Sequence, residues 1–218
     1  KSIDKLLACK ENPQFGEPKY NEEAYNALVA AYDVFKANAT MANYNACAEI
    51  IAGLEVYMPE EGKFYVIECP IFFAKQGVSK GLNGTPGWNT IDLTDTNYYW
   101  TVEVQDGTYA LKNLGTGTYL NGGEMSATAA YAQLNYLGQQ QFNIVVNGTT
   151  VHANNHGSGA NASGNIVSWG GSANSASAWV FIEKNDPTTL QEAVVNYNFT
   201  YEGEVKYTQT ASTLVGEE

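Results

Sequence analysis

Basic residues are scarce in this chain, which has 11 Lys and Arg against 23 Asp and Glu and a formal net charge of −12. Nucleic-acid binding depends on Lys and Arg that displace counterions from phosphates, and no basic run is present, so nucleic acid is not an expected partner. The same charge repels anionic lipid surfaces. No apolar stretch reaches the ~18 residues of a transmembrane helix, and membrane insertion is not expected. Uncharged, hydroxyl-bearing ligands or cations remain as partner classes.

Cysteine is also rare: Cys9, Cys47 and Cys69 are an odd number, at spacings that match no zinc pattern. Neither catalytic thiol chemistry nor a cofactor is expected. Cys47 lies on the apolar face of a predicted helix, and we interpret it as a small buried thiol. A disulfide between Cys9 and Cys47 is the alternative if the protein is exported.

Tyrosine, glycine, asparagine, threonine and serine are abundant, with 15 Tyr and 21 Gly. This polar but weakly charged composition is typical of secreted and cell-surface modules. The chain starts at Lys1-Ser2-Ile3, inside a helical pattern and without a visible signal peptide. We therefore expect a piece of a longer exported protein, located outside the cell or on its surface.

Residues 1–57 have helical periodicity in three short segments. The first begins at Ile3, Asn21 is placed to cap the second, and Asn43 is placed to cap the third. An antiparallel three-helix bundle is expected, and a helical linker packed on its neighbour is the alternative. Apolar residues recur at three- and four-residue steps: Tyr25, Leu28, Tyr32 and Phe35 in the second segment, and Tyr44, Cys47, Ile51 and Leu54 in the third.

Residues 60–185 change to a period of two, with strands of four to seven residues between Gly- and Asn-rich turns. Trp100, Phe142 and Trp179 close three similar stretches that are about 40 residues apart, a spacing that indicates three copies of one supersecondary unit. Three repeats of about four strands predict a mainly β fold in which a closed barrel carries a hairpin cap. We expect the three aromatic residues to fill its core. Stacking on a ligand is their alternative role.

Residues 186–218 contain two alternating segments, 194–201 and 205–210, around the turn pair Glu202-Gly203. This pattern predicts one β-hairpin. A lone hairpin is marginal in water, so it either docks on the preceding repeats or begins a further domain. We expect the second.

The closing segments resemble the Q-x-W repeat of ricin-type β-trefoil lectins over about residues 60–185. The glutamine two residues before the aromatic is kept only as Gln140, and Tyr98 and Ser177 replace it in the other repeats. A hydrophobic-Asn-Gly turn recurs at 82–84 and 120–122. The N-terminal helices are similar to small three-helix spacer modules of secreted and surface-anchored bacterial proteins.

The resemblance implies sugar binding without catalysis by a module of a larger, carbohydrate-active protein. In ricin-type sites an acidic residue and an Asn bind sugar hydroxyls while an aromatic ring carries the apolar sugar face. An exposed Trp beside small residues suits that stacking, and partial burial is the alternative. Repeat 2 has no Asp in its strands and is not an expected site. The candidate carbohydrate-binding residues are Trp88, Asn89 and Asp92 in the first repeat and His152, Asn154, Asn155 and Trp169 in the third.

Metal binding and catalysis are not expected. His152 and His156 are four residues apart, but the Asn and Gly residues around them exclude the helix that would bring the imidazoles together. Asp92, Asp95, Glu103 and Asp106 are interpreted as solvated strand and turn residues, not as a hydrolase pair. The expected function is glycan binding next to neighbouring domains of the same polypeptide. A structural spacer or protein-interaction module is the alternative, and an isolated hydrolase is a third hypothesis.

Overall fold

The computed structural model of this chain describes residues 3–11, 13–154, 161–189, 191–201 and 204–215. The chain divides into two compact units. The first comprises Lys1–Pro59 together with Tyr136–Phe142, and the second comprises Glu60–Asn135 together with Asn143–Glu218.

Helices make up most of the first unit, as the periodicity predicts. They are α1 (Ile3–Leu7), α2 (Glu22–Ala37) and α3 (Met41–Ala52). Helices α2 and α3 pack against each other, and Leu28 and Cys47 are buried. The Tyr32 hydroxyl of α2 donates to Asp4 of α1 at 2.9 Å.

Helix capping follows the sequence in one case and departs from it in the other. Asn21 accepts the Ala24 N–H at 2.8 Å, so its predicted role as the cap of α2 is confirmed. The prediction that Asn43 caps α3 is wrong. Helix α3 begins at Met41, and Thr40 is the cap, because its hydroxyl accepts the Asn43 N–H at 3.2 Å. Both Thr and Asn satisfy free N–H groups at a helix start, and here the Asn43 amide donates to the Asn38 carbonyl instead.

A tyrosine sets a conformational constraint in the same unit. Gly16 has φ +78°, and a Cβ there would lie 2.0 Å from the Tyr136 ring. Only glycine fits a position that combines positive φ with such a close ring. Next to it, Phe15 stacks on Tyr57 with ring centroids 4.7 Å apart, and the Gly16 N–H donates to the Tyr57 carbonyl.

The repeats lie in the second unit except for Tyr136–Phe142 of the second repeat. The first repeat contains β1 (Phe64–Glu68), β2 (Lys80–Asn83), β3 (Gly87–Thr90) and β4 (Tyr99–Gln105). The second contains β5 (Thr108–Asn113), β6 (Tyr119–Asn121), β7 (Glu124–Ser126), β8 (Tyr131–Gly138) and β9 (Gln141–Val146). The third, shorter repeat contains β10 (Thr149–Ala153), β11 (Gly164–Trp169) and β12 (Trp179–Lys184).

Strand pairing closes this sheet on itself. Within the described residues twelve strands join in one sheet, and the pairs β1–β4, β4–β5, β5–β8, β8–β9, β9–β12 and β12–β1 form a continuous ring. Hairpins such as β2–β3 and β6–β7 extend from it. The predicted β-trefoil with an N-terminal helical part is confirmed. Trp100, Phe142 and Trp179 are all fully buried, as expected for core residues.

A short helix interrupts the first repeat between β1 and β2. This helix, α4 (Pro70–Gln76), has proline at its first turn and ends at Gly77, which has φ +67° and donates its N–H to the Phe73 carbonyl. Phe72 on α4 is fully buried. The sequence pattern did not predict α4.

The C-terminal segment forms a separate two-stranded sheet. Strands β13 (Gln191–Tyr201) and β14 (Glu204–Val215) pair antiparallel, with a shift of register between Phe199 and Thr200. The expected turn pair Glu202-Gly203 lies outside the described residues. That this hairpin begins a further domain stays a prediction.

The cysteines differ in their surroundings. Among the described residues, which include all three cysteines, no disulfide forms. The Cys9 thiol donates to the Lys5 carbonyl at 3.1 Å. Cys47 and Cys69 are buried, and burial raises the pKa of the Cys69 thiol to about 12.

We predict that iodoacetamide at mildly alkaline pH labels native Cys9 first. Four pH units below a pKa of about 12, only roughly one Cys69 thiol in ten thousand is ionised, and the thiolate is the reactive form. Mass spectrometry after timed quenching measures the order, and the unfolded chain, with all three residues labelled, is the control. Rapid labelling of native Cys69 would contradict its burial. Joint protection of Cys9 and Cys47 that a reductant abolishes would instead establish the disulfide.

Candidate functional site

Trp169 is the surface tryptophan of the third repeat. In the β10–β11 ladder Thr150 pairs with Trp169 and His152 pairs with Val167. Side chains two residues apart share a face of a strand, which makes His152 and Trp169 diagonal neighbours on one face. Their rings stack with centroids 4.8 Å apart and 19° between planes. Trp169 is 39% exposed, whereas His152 is 5% exposed.

Buried polar groups fix the imidazole beneath the indole. His152 Nδ1 lies 2.8 Å from the Ser177 hydroxyl, and the tautomer of the ring decides which of the two donates. Ser177 is fully buried, and its carbonyl accepts a hydrogen bond from the Asn143 side chain. The imidazole is therefore a rigid support for one side of the Trp169 ring.

Glycine keeps the surroundings of Trp169 small. A Cβ at Gly171 would lie 2.8 Å from the indole nitrogen, so a side chain there would press on the ring edge. A Cβ at Gly170 would have no atom within 4 Å. The Trp169 N–H donates to the Ser172 carbonyl at 3.2 Å, which holds the ring against this loop. The expectation of an exposed, Gly-flanked ring is met at this position.

Trp88 differs from its prediction. Its ring is fully buried and stacks on Phe72 of α4, with centroids 4.1 Å apart. Its N–H donates to the Asn154 carbonyl at 2.8 Å. The expectation that Trp88 offers an open stacking face is wrong, because the inserted helix α4 places Phe72 on the ring.

The polar residues predicted around Trp88 make local hydrogen bonds. Asn89 is exposed, and its side-chain oxygen accepts the Thr90 N–H at 2.7 Å. Asp92 accepts the Thr94 N–H and hydroxyl at 2.9 and 2.7 Å, and these bonds lower the pKa of its carboxyl. The Asn89 bond lies within β3, and the Asp92 bonds support the turn that follows it. Their roles in binding sugar stay predictions.

Asn154 lies at the end of β10 and is exposed. Its carbonyl accepts from Trp88, and its N–H donates to the Asn165 carbonyl at 3.0 Å. The backbone of Asn154 thus links the first and third repeats. Asn155 and His156, the next two residues of the predicted polar loop, lie outside the described residues.

A groove near Trp88 was not predicted as a site. It has a volume of about 420 Å³ and lies between the β2–β3 turn and the start of β11. Asn89 is the one exposed side chain of this groove that the sequence pattern had singled out. The pairing of β3 with β11 creates the groove, and no local sequence signal reports that pairing. The side chains that line the groove include Asn83, Thr85, Pro86, Asn89, Ser163 and Asn165.

Acidic residues of the first repeat serve local structure. Asp95 accepts the Asn97 N–H at 2.9 Å, and Glu103 accepts the Tyr119 hydroxyl at 2.7 Å. In the described part of the chain, no three His, Cys, Asp or Glu side chains form a group that could hold a metal ion. No helix within the described ranges is long and apolar enough to cross a bilayer.

No protein-family model matches the chain, and no curated protein matches it. Solved β-trefoil structures are similar at low identity. The Macrolepiota procera ricin B-like lectin in complex with lactose is 14% identical, with a TM-score of 0.46, over 57% of this chain and 98% of the lectin. The Rhizoctonia solani agglutinin is 16% identical, with a TM-score of 0.46, over 60% of this chain and 99% of the agglutinin. The designed threefold-symmetric protein ThreeFoil is 16% identical, with a TM-score of 0.44, over 55% of this chain and 97% of ThreeFoil. The β-trefoil assignment rests on the strand pairing within this chain.

Gly164→Ala should destabilise the protein, whereas Gly170→Ala should not. A Cβ at Gly164 would lie 2.7 Å from the Asn154 carbonyl and 2.8 Å from the Trp88 ring, and overpacking of this kind costs about 1–3 kcal/mol. Denaturant unfolding of both variants measures the difference, and Gly170→Ala should stay within about 0.5 kcal/mol of the parent. Equal stability of the two variants would contradict the close contact between Gly164 and Trp88.

Proposed function

We propose that the β-trefoil is a non-catalytic carbohydrate-binding module and that Trp169 carries the apolar face of a sugar. The observation that supports this most directly is the Trp169 ring itself, which is 39% exposed, backed by His152 and bordered by glycines. Large aromatic rings bring much of the contact energy at binding surfaces. A ring already fixed by stacking loses little conformational freedom when a ligand binds.

The expected affinity of one such site is weak. A stacked ring and a neutral hydrogen bond are each worth about 1 kcal/mol net, so a few of them give roughly millimolar dissociation constants. Several sites, or attachment to other domains, would raise the effective affinity. The proposed role is therefore to hold neighbouring domains of a larger, carbohydrate-active protein near glycans, outside the cell or on the surface of a bacterium. The N-terminal helices would act as a spacer.

The net charge of −12 is consistent with an uncharged glycan ligand. Hydrolysis is not part of the proposal. Asp92, Asp95 and Glu103 each accept hydrogen bonds from neighbouring turn and strand residues, which gives these carboxylates a structural use.

A spacer or protein-interaction module without a sugar site is the second candidate. The burial of Trp88 favours it, because the first repeat then lacks the open aromatic ring that sugar stacking requires. The local bonds of Asn89 and Asp92 favour it for the same reason. The two functions differ in whether the purified chain binds any glycan.

A glycan array probed with the multivalently displayed chain tests the proposed function. Trp169→Ala should lower the signal strongly, and Trp169→Phe should retain more of it because an aromatic face remains. Circular dichroism and thermal unfolding check that both variants fold. A folded parent protein that binds nothing would contradict the lectin-like role. Glycan binding that is as strong in Trp169→Ala as in the parent would show that Trp169 does not carry it.

A further inference from the structure

We infer that the groove between the β2–β3 turn and the start of β11 is a second binding site for an uncharged, polyhydroxylated ligand. The inference takes its ligand class from the proposed function, but its residues are separate from Trp169. Trp169 ends β11, whereas Gly164 and Asn165 begin it. Five steps along a strand separate these positions by about 17 Å.

The groove forms where the backbones of β3 and β11 lie close together. Gly164 pairs with Trp88 and Asn165 pairs with Gly87, which brings the third repeat against the first. A Cβ at Gly87 would lie 2.9 Å from the Gly164 carbonyl, and one at Gly164 would lie against Trp88. The close approach of β3 and β11 therefore requires glycine at both positions. The volume of about 420 Å³ falls within the usual range of small-molecule sites, about 300–1,000 Å³.

Hydrogen bonds hold the walls in place. The Ile166 N–H donates to the Pro86 carbonyl at 3.2 Å, which fastens β11 to the β2–β3 turn. On the other side, the buried Lys80 ammonium donates to the carbonyls of Asn161 and Ala162 at 2.6 and 3.0 Å. Gln76 of α4 donates to the same Asn161 carbonyl. The residues just before Ser163 are thereby tied to the first repeat, and a groove with fixed walls binds without a large ordering cost.

The chemistry of the exposed lining selects the ligand class. Thr85, Asn89, Ser163 and Asn165 are exposed and present hydroxyl and amide groups to the groove. Amides and hydroxyls both donate and accept hydrogen bonds, which matches the hydroxyl groups of a sugar. The described residues that line the groove carry no charge, so an ionic ligand finds no counter-charge among them. Because the Trp88 ring is covered by Phe72, recognition here is by hydrogen bonds and not by stacking.

A glycan that reaches both sites would make two contacts with one module. The second contact would then be intramolecular and would raise the effective affinity.

Two-dimensional ¹H–¹⁵N NMR of the full chain tests the inference. The probes are the methyl glycosides of glucose, galactose and N-acetylglucosamine, titrated to about millimolar concentrations, where a weak site becomes occupied. At least one probe should shift the backbone amides of Gly87 and Gly164 and the side-chain amides of Asn89 and Asn165. The Trp169→Ala variant should show the same shifts.

Two variants address the groove directly. Ser163→Tyr places a large side chain at its rim and should abolish the shifts, with Ala127→Tyr at an exposed position outside the groove as the matched control. Asn165→Ala removes one amide and should weaken the affinity by about three- to tenfold, the value of one neutral hydrogen bond. It serves as the test if Ser163→Tyr does not fold.

The outcomes separate the two proposals. Shifts at the groove that persist in Trp169→Ala and vanish in Ser163→Tyr support the second site. Shifts confined to Trp169 and its neighbours overturn the second site and leave the proposed function standing. Shifts confined to the groove support the second site and overturn the role of Trp169. No shift anywhere with any probe overturns both.

Discussion

A buried indole N–H must find an acceptor, and this requirement links the strands of the trefoil. Trp100 donates to the Leu82 carbonyl, Trp179 to the Val151 carbonyl and Trp88 to the Asn154 carbonyl. A buried donor without a partner would cost about 1–3 kcal/mol. Each large ring therefore fills core volume and also fixes the position of a second segment of the chain. The fourth, Trp169, donates to the loop that follows its own strand, and its ring is at the surface.

The architecture was predictable because it depends on a repeated pattern. The spacing of Trp100, Phe142 and Trp179 indicates three units, and their burial is what closure of the sheet requires. Helix α4 was missed because seven residues are too few to show a helical period. The usable signal was proline at its first turn with glycine just after its end, an arrangement typical of helix boundaries.

The candidate site was predictable only where its environment is local. Trp169 is exposed as its glycine neighbours predict, because those glycines follow it directly in the chain. Trp88 also has a glycine neighbour, yet its exposure depends on Phe72, a residue of the unpredicted helix. The stack of His152 on Trp169 and the groove beside Gly164 depend on the register in which strands from distant segments pair. Neither the composition of the chain nor the spacing of its residues predicts that register.

Strand β12 pairs with β1 from Phe64↔Lys184 to Glu68↔Val180, so the ring of strands closes through its earliest and latest members. The Lys63–Glu183 ion pair beside this seam joins residues 120 positions apart. During synthesis, one edge of β1 must wait without its partner until the ribosome has released the third repeat. Long-range pairings of this kind slow folding and leave strand edges exposed meanwhile. The order of translation thus makes the third repeat, the shortest of the three, the step that completes the domain.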